Sequence, residues 1–403
     1  MKGNCNVNLT RIVDWLYSML VFISLWPFFS WKWTIIPVST ISICFFIFIF
    51  DFVFINKFKI DKNRFLILSF IVSILALFLL YPGGKPPWFN YYSMFLALFL
   101  VLPIDRLIEI AKNFRKIFIL SLIPGLIIYL LLVLGFDLPY TILDAHNVLK
   151  DSLGIYYRDY GGTVALSHLI ITTGTSTIIR FSGVLDEPGL LGTICALLLL
   201  ADRINLKRIS NVILLVSGIV SISLAFYLLI LLGVILQGKR RITSLFVVFI
   251  LGVSVYYSPV YDNFLKKRLD TDGTGMILKD NRVSDCFQSY YDNFTKSDDI
   301  SLMLGNGNNA HLDTNCDVSS YKMYVYDYGY LGFFILVILQ VLQYVIPFFR
   351  SDFIRFTKFS FIFLCLFSLS YYQRPVFFNL AFSMVLFYSY SVFLDTFKIK
   401  NKN

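Results

Sequence analysis

Charge is what this sequence has least of. Asp, Glu, Lys and Arg make up 15% of its 403 residues, against about 25% in soluble domains. Glycine and proline are few as well, at 22 and 12, which excludes collagen-like and low-complexity chains. The three histidines and six cysteines show no zinc-type spacing, and no glycine loop of the phosphate-binding kind appears, so no metal and no cofactor is expected. No internal repeat, heptad series or evident two-fold hydropathy symmetry is present, which counts against a repeat-built secondary transporter. What abounds is hydrocarbon: 57% of residues are hydrophobic, 42 are Phe, and mean hydropathy is +0.72. No soluble fold of this length hides that much apolar surface, so the expected class is an all-α, polytopic integral membrane protein. The formal net charge of +10 then reads as a topology signal and not as a mark of nucleic-acid binding.

Spans of roughly 20 apolar residues are expected at Ile12–Phe29, Trp33–Ile55, Phe65–Leu80, Trp88–Ile104, Ile117–Phe136, Val184–Ala201, Asn211–Gln237, Ile242–Tyr257, Tyr328–Phe349, Phe359–Tyr372 and Val376–Phe397. The first is followed by Trp26-Pro27-Phe28-Phe29, which offers no small-residue cleavage site, so it reads as a retained span. Cations crowd alternate connections: Lys57 to Arg64, Arg106 to Lys116, Arg203 to Arg208, Lys239 to Arg241 and Arg350 to Lys358. Together with those at the two ends they account for 22 of the 35 Lys and Arg, whereas the short connections opposite hold Lys32, Lys85 and Arg374. The asymmetry places both termini in the cytoplasm. Asn211–Gln237 lies between two basic connections and must therefore cross an even number of times, as two short helices or one re-entrant hairpin turning at Ser221-Ile222-Ser223. Counted as two, it brings the total to twelve spans; counted as re-entrant, to ten. A single transmembrane domain over residues 1–403 follows, with two long extracytoplasmic loops, 137–183 and 259–327, that carry enough polar residues to build a site. Cys286 and Cys316 share the second loop, and an oxidising compartment would allow them to pair or leave them free.

The most informative stretch is Arg180-Phe-Ser-Gly183-Val-Leu-Asp186-Glu187-Pro188-Gly189-Leu-Leu-Gly192, where the first long loop enters a span. A proline after two carboxylates suits the first turn of a helix, and carboxylates at a helix N-terminus are favoured by its dipole. Asp186 and Glu187 are thus either helix caps or, with Arg180 at the same boundary, part of a site. The second loop carries Arg282, then an aromatic-rich, helix-like run, then Leu304-Gly305-Asn306-Gly307-Asn308, and closes with Asp327-Tyr328-Gly329-Tyr330-Leu331-Gly332 as a span begins.

In these motifs and their order the chain resembles the Wzy-type polymerases of O-antigen and capsule repeat units, relatives of the O-antigen ligases. The ligases carry a His-Asn pair eleven and ten residues before the glycine that Gly329 matches; here Val318 and Ser319 stand there. The resemblance implies a GT-C-like fold of about 12 transmembrane helices at the periplasmic face of a bacterial inner membrane. It implies a substrate of undecaprenyl-diphosphate-linked oligosaccharide, contact with membrane lipid, and a chain-length regulator protein as partner. Arg180 and Arg282 would hold diphosphate through their planar, permanently charged forks, and Glu187 would accept the proton of the attacking sugar hydroxyl. Gly183, Asp186, Asp327, Tyr290 and Tyr291 are candidate substrate contacts. Each has a plainer alternative: Arg282 paired with Asp280 or Asp285, Asp327 capping the helix after it, the tyrosines anchoring at the interface. His311 is the histidine nearest the position of a ligase base; His146, His168 and the run Lys266-Lys267-Arg268 read as locally bonded or solvated. Two rival functions remain, a ligase with another acceptor and a flippase or transporter of the same lipid-linked saccharide.

Overall fold

Apolar runs almost free of helix breakers set the architecture. The computed structural model describes residues 2–33, 37–55, 62–79, 99–144, 154–167, 170–173, 176–237, 283–316, 318–349, 358–373, 377 and 379–400, and the chain is mostly helical. In order, α1 is Lys2–Ile23, α2 Phe28–Lys32, α3 Pro37–Phe50 with a π-helical extension Asp51–Ile55, α4 Lys62–Leu79 and α5 Ile104–Val133. After five strands come α6 Pro188–Ala201, α7 Ile209–Val220, α8 Leu224–Gln237, α9 Asp285–Phe294, α10 Asp299–Leu304, α11 Ala310–Asp313, α12 Lys322–Phe349, α13 Lys358–Gln373 and α14 Leu380–Lys400.

Among the described residues two stretches are long and apolar enough to cross a membrane, Ile104–Val133 and Lys322–Leu342. Shorter apolar helices accompany them, among them Pro188–Ala201, Ile209–Val220 and Leu380–Leu394. α6 is apolar on every side and is accordingly the centre: all its residues but Leu190 are buried, and α7, α8, α13 and α14 pack around it. Elsewhere large apolar side chains point outward, including Ile12, Met19, Phe46, Leu120, Ile127, Leu130 and Phe334. Patches of that kind suit a hydrocarbon surround. The span expected at 242–257 and most of that at 88–104 lie outside the described residues.

Two departures from the sequence reading stand out. The basic segment 105–116 is not a connecting loop; it forms the first turns of α5. At 1.5 Å per residue this 30-residue helix is ~45 Å long, well beyond the ~30 Å of a bilayer core, so its cationic start needs no break in the helix. The described residues of the first long loop, in turn, form strands. β1 (Thr141–Asp144), β2 (Tyr156–Asp159) and β3 (Val164–Leu166) form an antiparallel sheet in that order, with Leu143 opposite Tyr157 and Tyr157 opposite Leu166. β4 (Ile170–Thr173) and β5 (Ser176–Ile179) form a hairpin. Ile-Ile-Thr-Thr and Ser-Thr-Ile-Ile are runs rich in β-branched residues, which favour a pleated surface. Period-two alternation is visible in β2, where Tyr157 and Asp159 are buried and Tyr156 and Arg158 half-buried.

Ion pairs tie together segments that the charge pattern assigns to one side. Lys32, between α2 and α3, bonds Asp159 of the first long loop at 2.7 Å, and Trp31 packs on Tyr157 with ring centroids 5.0 Å apart. At the opposite end, Arg106 of α5 grips both Asp51 oxygens at 2.7 and 2.9 Å and Asp14 at 2.6 Å, while Tyr17 donates to Asp51. Arg115 likewise bonds Asp202 and Asn211, and Asp202 also accepts from Tyr388 and Arg208.

Candidate functional site

The first cluster forms where α7 meets α8. Asn211–Gln237 is indeed two helices, and they break at Ser221–Ser223. Ile222 there has φ +49°, a left-handed conformation that a β-branched residue adopts only under strain, at a cost of roughly 1–3 kcal/mol. Arg180, leaving β5, holds that break. Its Nε donates to the Ser221 carbonyl at 3.2 Å and its Nη2 to the Ile222 carbonyl at 3.0 Å, while the next amide, Phe181 N–H, donates to Val220 O. These are carbonyls that the end of a helix leaves without intrahelical donors. Gly192, the last residue of the motif, abuts the same break from α6: a Cβ there would lie 2.5 Å from Ser223 Cβ and 2.8 Å from Ser221 Oγ. Arginine and terminal glycine of one motif thus converge on the Ser-Ile-Ser turn, a juxtaposition that spacing alone does not reveal.

Between them, Gly183 has φ +59°, and its carbonyl accepts from the Val164 amide and from Thr163 Oγ1, so it anchors the loop to β3. Pro188 occupies the first turn of α6, as expected. Glu187 is the N-cap residue, but its side chain makes no cap hydrogen bond, which removes the plain capping reading for Glu187. Asp186 and Glu187 are both half-buried.

The second cluster belongs to the second long loop. Ser284 caps α9 by accepting from the Phe287 amide, and Asp298 caps α10 by accepting from Ser301; those bonds hold the Asp298 carboxyl below its ordinary range. Val283, Phe287, Tyr291, Phe294 and Val325 form a small core of their own. Tyr291 is packed into this core, with burial, then Tyr330, pushing its phenol up; its neighbour Tyr290 remains exposed. Cys286 and Cys316 are joined, with Cα atoms 5.7 Å apart across 30 positions. On the chain-entropy account a ring of that size contributes about 3–4 kcal/mol. Reduction should accordingly lower the thermal midpoint and open this loop to protease; maleimide labelling of both thiols without prior reduction would contradict the pairing.

Two glycines clamp this loop onto α12. Gly305 (φ +81°, ψ −176°) and Gly329 (φ +66°, ψ −178°) face each other, and a Cβ on Gly329 would stand 2.2 Å from the Met303 carbonyl oxygen. That approach lets Asn306 N–H donate to Tyr326 O and Gly307 N–H to Asp327 O, each at 2.9 Å. Tyr328 donates to Asn308 Oδ1 at 2.6 Å. Asp327 does not cap the helix after it. One of its oxygens accepts the His311 amide at 2.9 Å and the other contacts His311 Nδ1 at 2.6 Å.

An apolar groove of about 380 Å³ begins beside this clamp. Its lining is apolar throughout: Leu304 and Tyr328 stand at the end next to the clamp, and Phe70, Ile74 and Leu77 of α4 line it together with Leu331, Ile335 and Leu342 of α12.

No family model matches the chain, and no curated protein or solved structure matches it either. The chemistry therefore rests on the residues. Arg282 falls outside the described residues, as do His146, His168 and Lys266 to Arg268; Val283, next to Arg282, bridges to Val318. Among the described residues no group of His, Cys, Asp and Glu is arranged to hold a metal ion. What is brought together is a strained helix break held by a buried guanidinium and, between α11 and α12, a carboxylate–imidazole pair next in sequence to Tyr328, which lines the apolar groove. The sequence reading missed the pairing of His311 with Asp327. Its one signal was the Asn-Gly-rich turn, which reverses the chain just ahead of His311.

Proposed function

We propose that the chain is a glycosyltransferase that polymerises undecaprenyl-diphosphate-linked oligosaccharide repeats at the outer face of a bacterial inner membrane. The growing glycan leaves its lipid diphosphate and joins an incoming lipid-linked repeat. The fold is taken as GT-C-like, with about 12 spans, both termini cytoplasmic, and a chain-length regulator as partner. The observation that carries this reading is the groove that starts at the Tyr328–Asn308 bond and continues between α4 and α12. The hydrocarbon tail of an amphipathic ligand suits that apolar lining, and the Tyr328–Asn308 bond lies beside one end of it, where a polar head would emerge. From Leu331 to Leu342 the wall runs ~16 Å, enough for a stretch of polyprenyl chain. Arg180 supports the reading from the first cluster. A guanidinium buried beside strained backbone is a fixed electrostatic group, suited to a leaving diphosphate.

The test is the surface-polysaccharide ladder of a deletion strain. Core capped by a single repeat, with longer chains restored by the intact gene, is the expected result. Uncapped core with accumulated long lipid-linked chains would mean a ligase, and loss of all extracytoplasmic repeats a flippase. The flippase reading has one observation of its own, the buried Asp14–Arg106–Asp51 cluster between three helices. Complementation with Arg180→Ala should yield expressed protein and no chains longer than one repeat. Long chains from that variant would count against a role for Arg180.

A further inference from the structure

We infer that His311, oriented by Asp327, is the general base that takes the proton of the attacking sugar hydroxyl, the role that Glu187 was expected to fill. This rests on the glycosyl-transfer reading and names the proton acceptor within it. The two oxygens of Asp327 divide between the His311 amide and the His311 ring, so backbone and imidazole are fixed by one carboxylate. A carboxylate facing Nδ1 selects the tautomer with hydrogen on Nδ1 and a lone pair on Nε2. The carboxylate is 3% exposed and the His311 side chain 16%. With Nδ1 turned to the carboxylate, Nε2 lies on the ring edge away from Asp327. Base, orienting group and an open position beyond them are the general pattern of an activated hydroxyl nucleophile.

Location points the same way. Asp327 precedes Tyr328, which lines the groove and bonds Asn308, and Asn308 lies three residues before His311. A lipid-linked sugar whose tail enters between α4 and α12 would carry its head past this pair. In the step itself, the acceptor hydroxyl gives its proton to His311 Nε2 as its oxygen forms a bond to the anomeric carbon of the donor. The bond from that carbon to the diphosphate oxygen breaks, and polyprenyl diphosphate leaves with the electron pair. The imidazolium then returns its proton to solvent. No oxidant or further reactant is consumed.

The experiment uses the full chain in nanodiscs and, as probe, the lipid-linked repeat accumulated by the deletion strain. His311→Ala removes the base, and His311→Asn keeps an amide donor where Nδ1 stood, so Asp327 remains satisfied and the loop stays latched. Both should extend chains about 10²–10⁴-fold more slowly than wild type, with the protease resistance of the second loop retained in His311→Asn. Added imidazole should restore His311→Ala at least about tenfold. His311→Asn extending within about threefold of wild type would overturn the assignment. So would a slow His311→Ala that imidazole leaves unchanged although its loop is intact, because the pair would then be only a latch. Wild-type protein inert toward the probe would sink the glycosyl-transfer reading itself, whereas active wild type with active His311→Asn sinks the base alone.

Discussion

Arg106→Met is expected to destabilise the protein by about 3–5 kcal/mol, because it leaves Asp14 and Asp51 facing each other in a buried site without their shared cation. The arginine is 9% exposed, and its fork meets Asp51 twice and Asp14 twice, at 2.6–2.9 Å. Those contacts join α1, the π-helical end of α3 and the start of α5, so loosening should spread across three helices. Thermal unfolding in detergent checks the size of the loss. Adding Asp14→Asn and Asp51→Asn to Arg106→Met should recover a large part of it, since removal of all three charges is far less costly than removal of one partner. A midpoint unchanged in Arg106→Met, or a triple variant weaker still, would show that the ion cluster is not what holds these helices.

Gly329→Ala should free the second loop from α12. The glycine sits in a region of backbone space that side chains scarcely enter, at a strain of roughly 1–3 kcal/mol. The added Cβ would also meet Met303 O at 2.2 Å and Gly305 N at 2.7 Å. Backbone atoms cannot swing aside like a side chain, so the two strands of chain must part, losing Asn306 N–H to Tyr326 O and Gly307 N–H to Asp327 O. At about 1 kcal/mol for each bond, the total is roughly 3–5 kcal/mol. Gly305→Ala is expected to do the same from the other side. Helical circular dichroism should persist in both variants, while proteolysis between α9 and α11 becomes rapid. A loop as resistant as wild type in either would show that the chain accommodates a side chain there.

Much of this was legible in the residues. α6, α7, α8 and α14 follow from apolar runs, the break at Ser221–Ser223 from a parity argument on flanking cations, and the first turn of α6 from Pro188. The sheet of the first loop was less legible. Its strands are three or four residues long, too short for alternation to outweigh the expectation of an irregular loop. Arg106 and Arg115 looked like loop cations because hydropathy registers their charge and is blind to Asp14, Asp51 and Asp202 waiting on other helices. Tyr290 and Tyr291 are adjacent and chemically identical, and only packing against Phe287 and Phe294 sends one inward.

The sequence by itself determined the apolar helices, two of them among the described residues long enough to cross a membrane, and the grouping of polar residues into two loops, because hydrophobic content and charge distribution act along the chain. Only the tertiary structure decided that Arg180 and Gly192 meet at a strained helix break, and that His311 meets Asp327 beside a groove. Those contacts join residues 16 to 42 positions apart, and no local pattern encodes them.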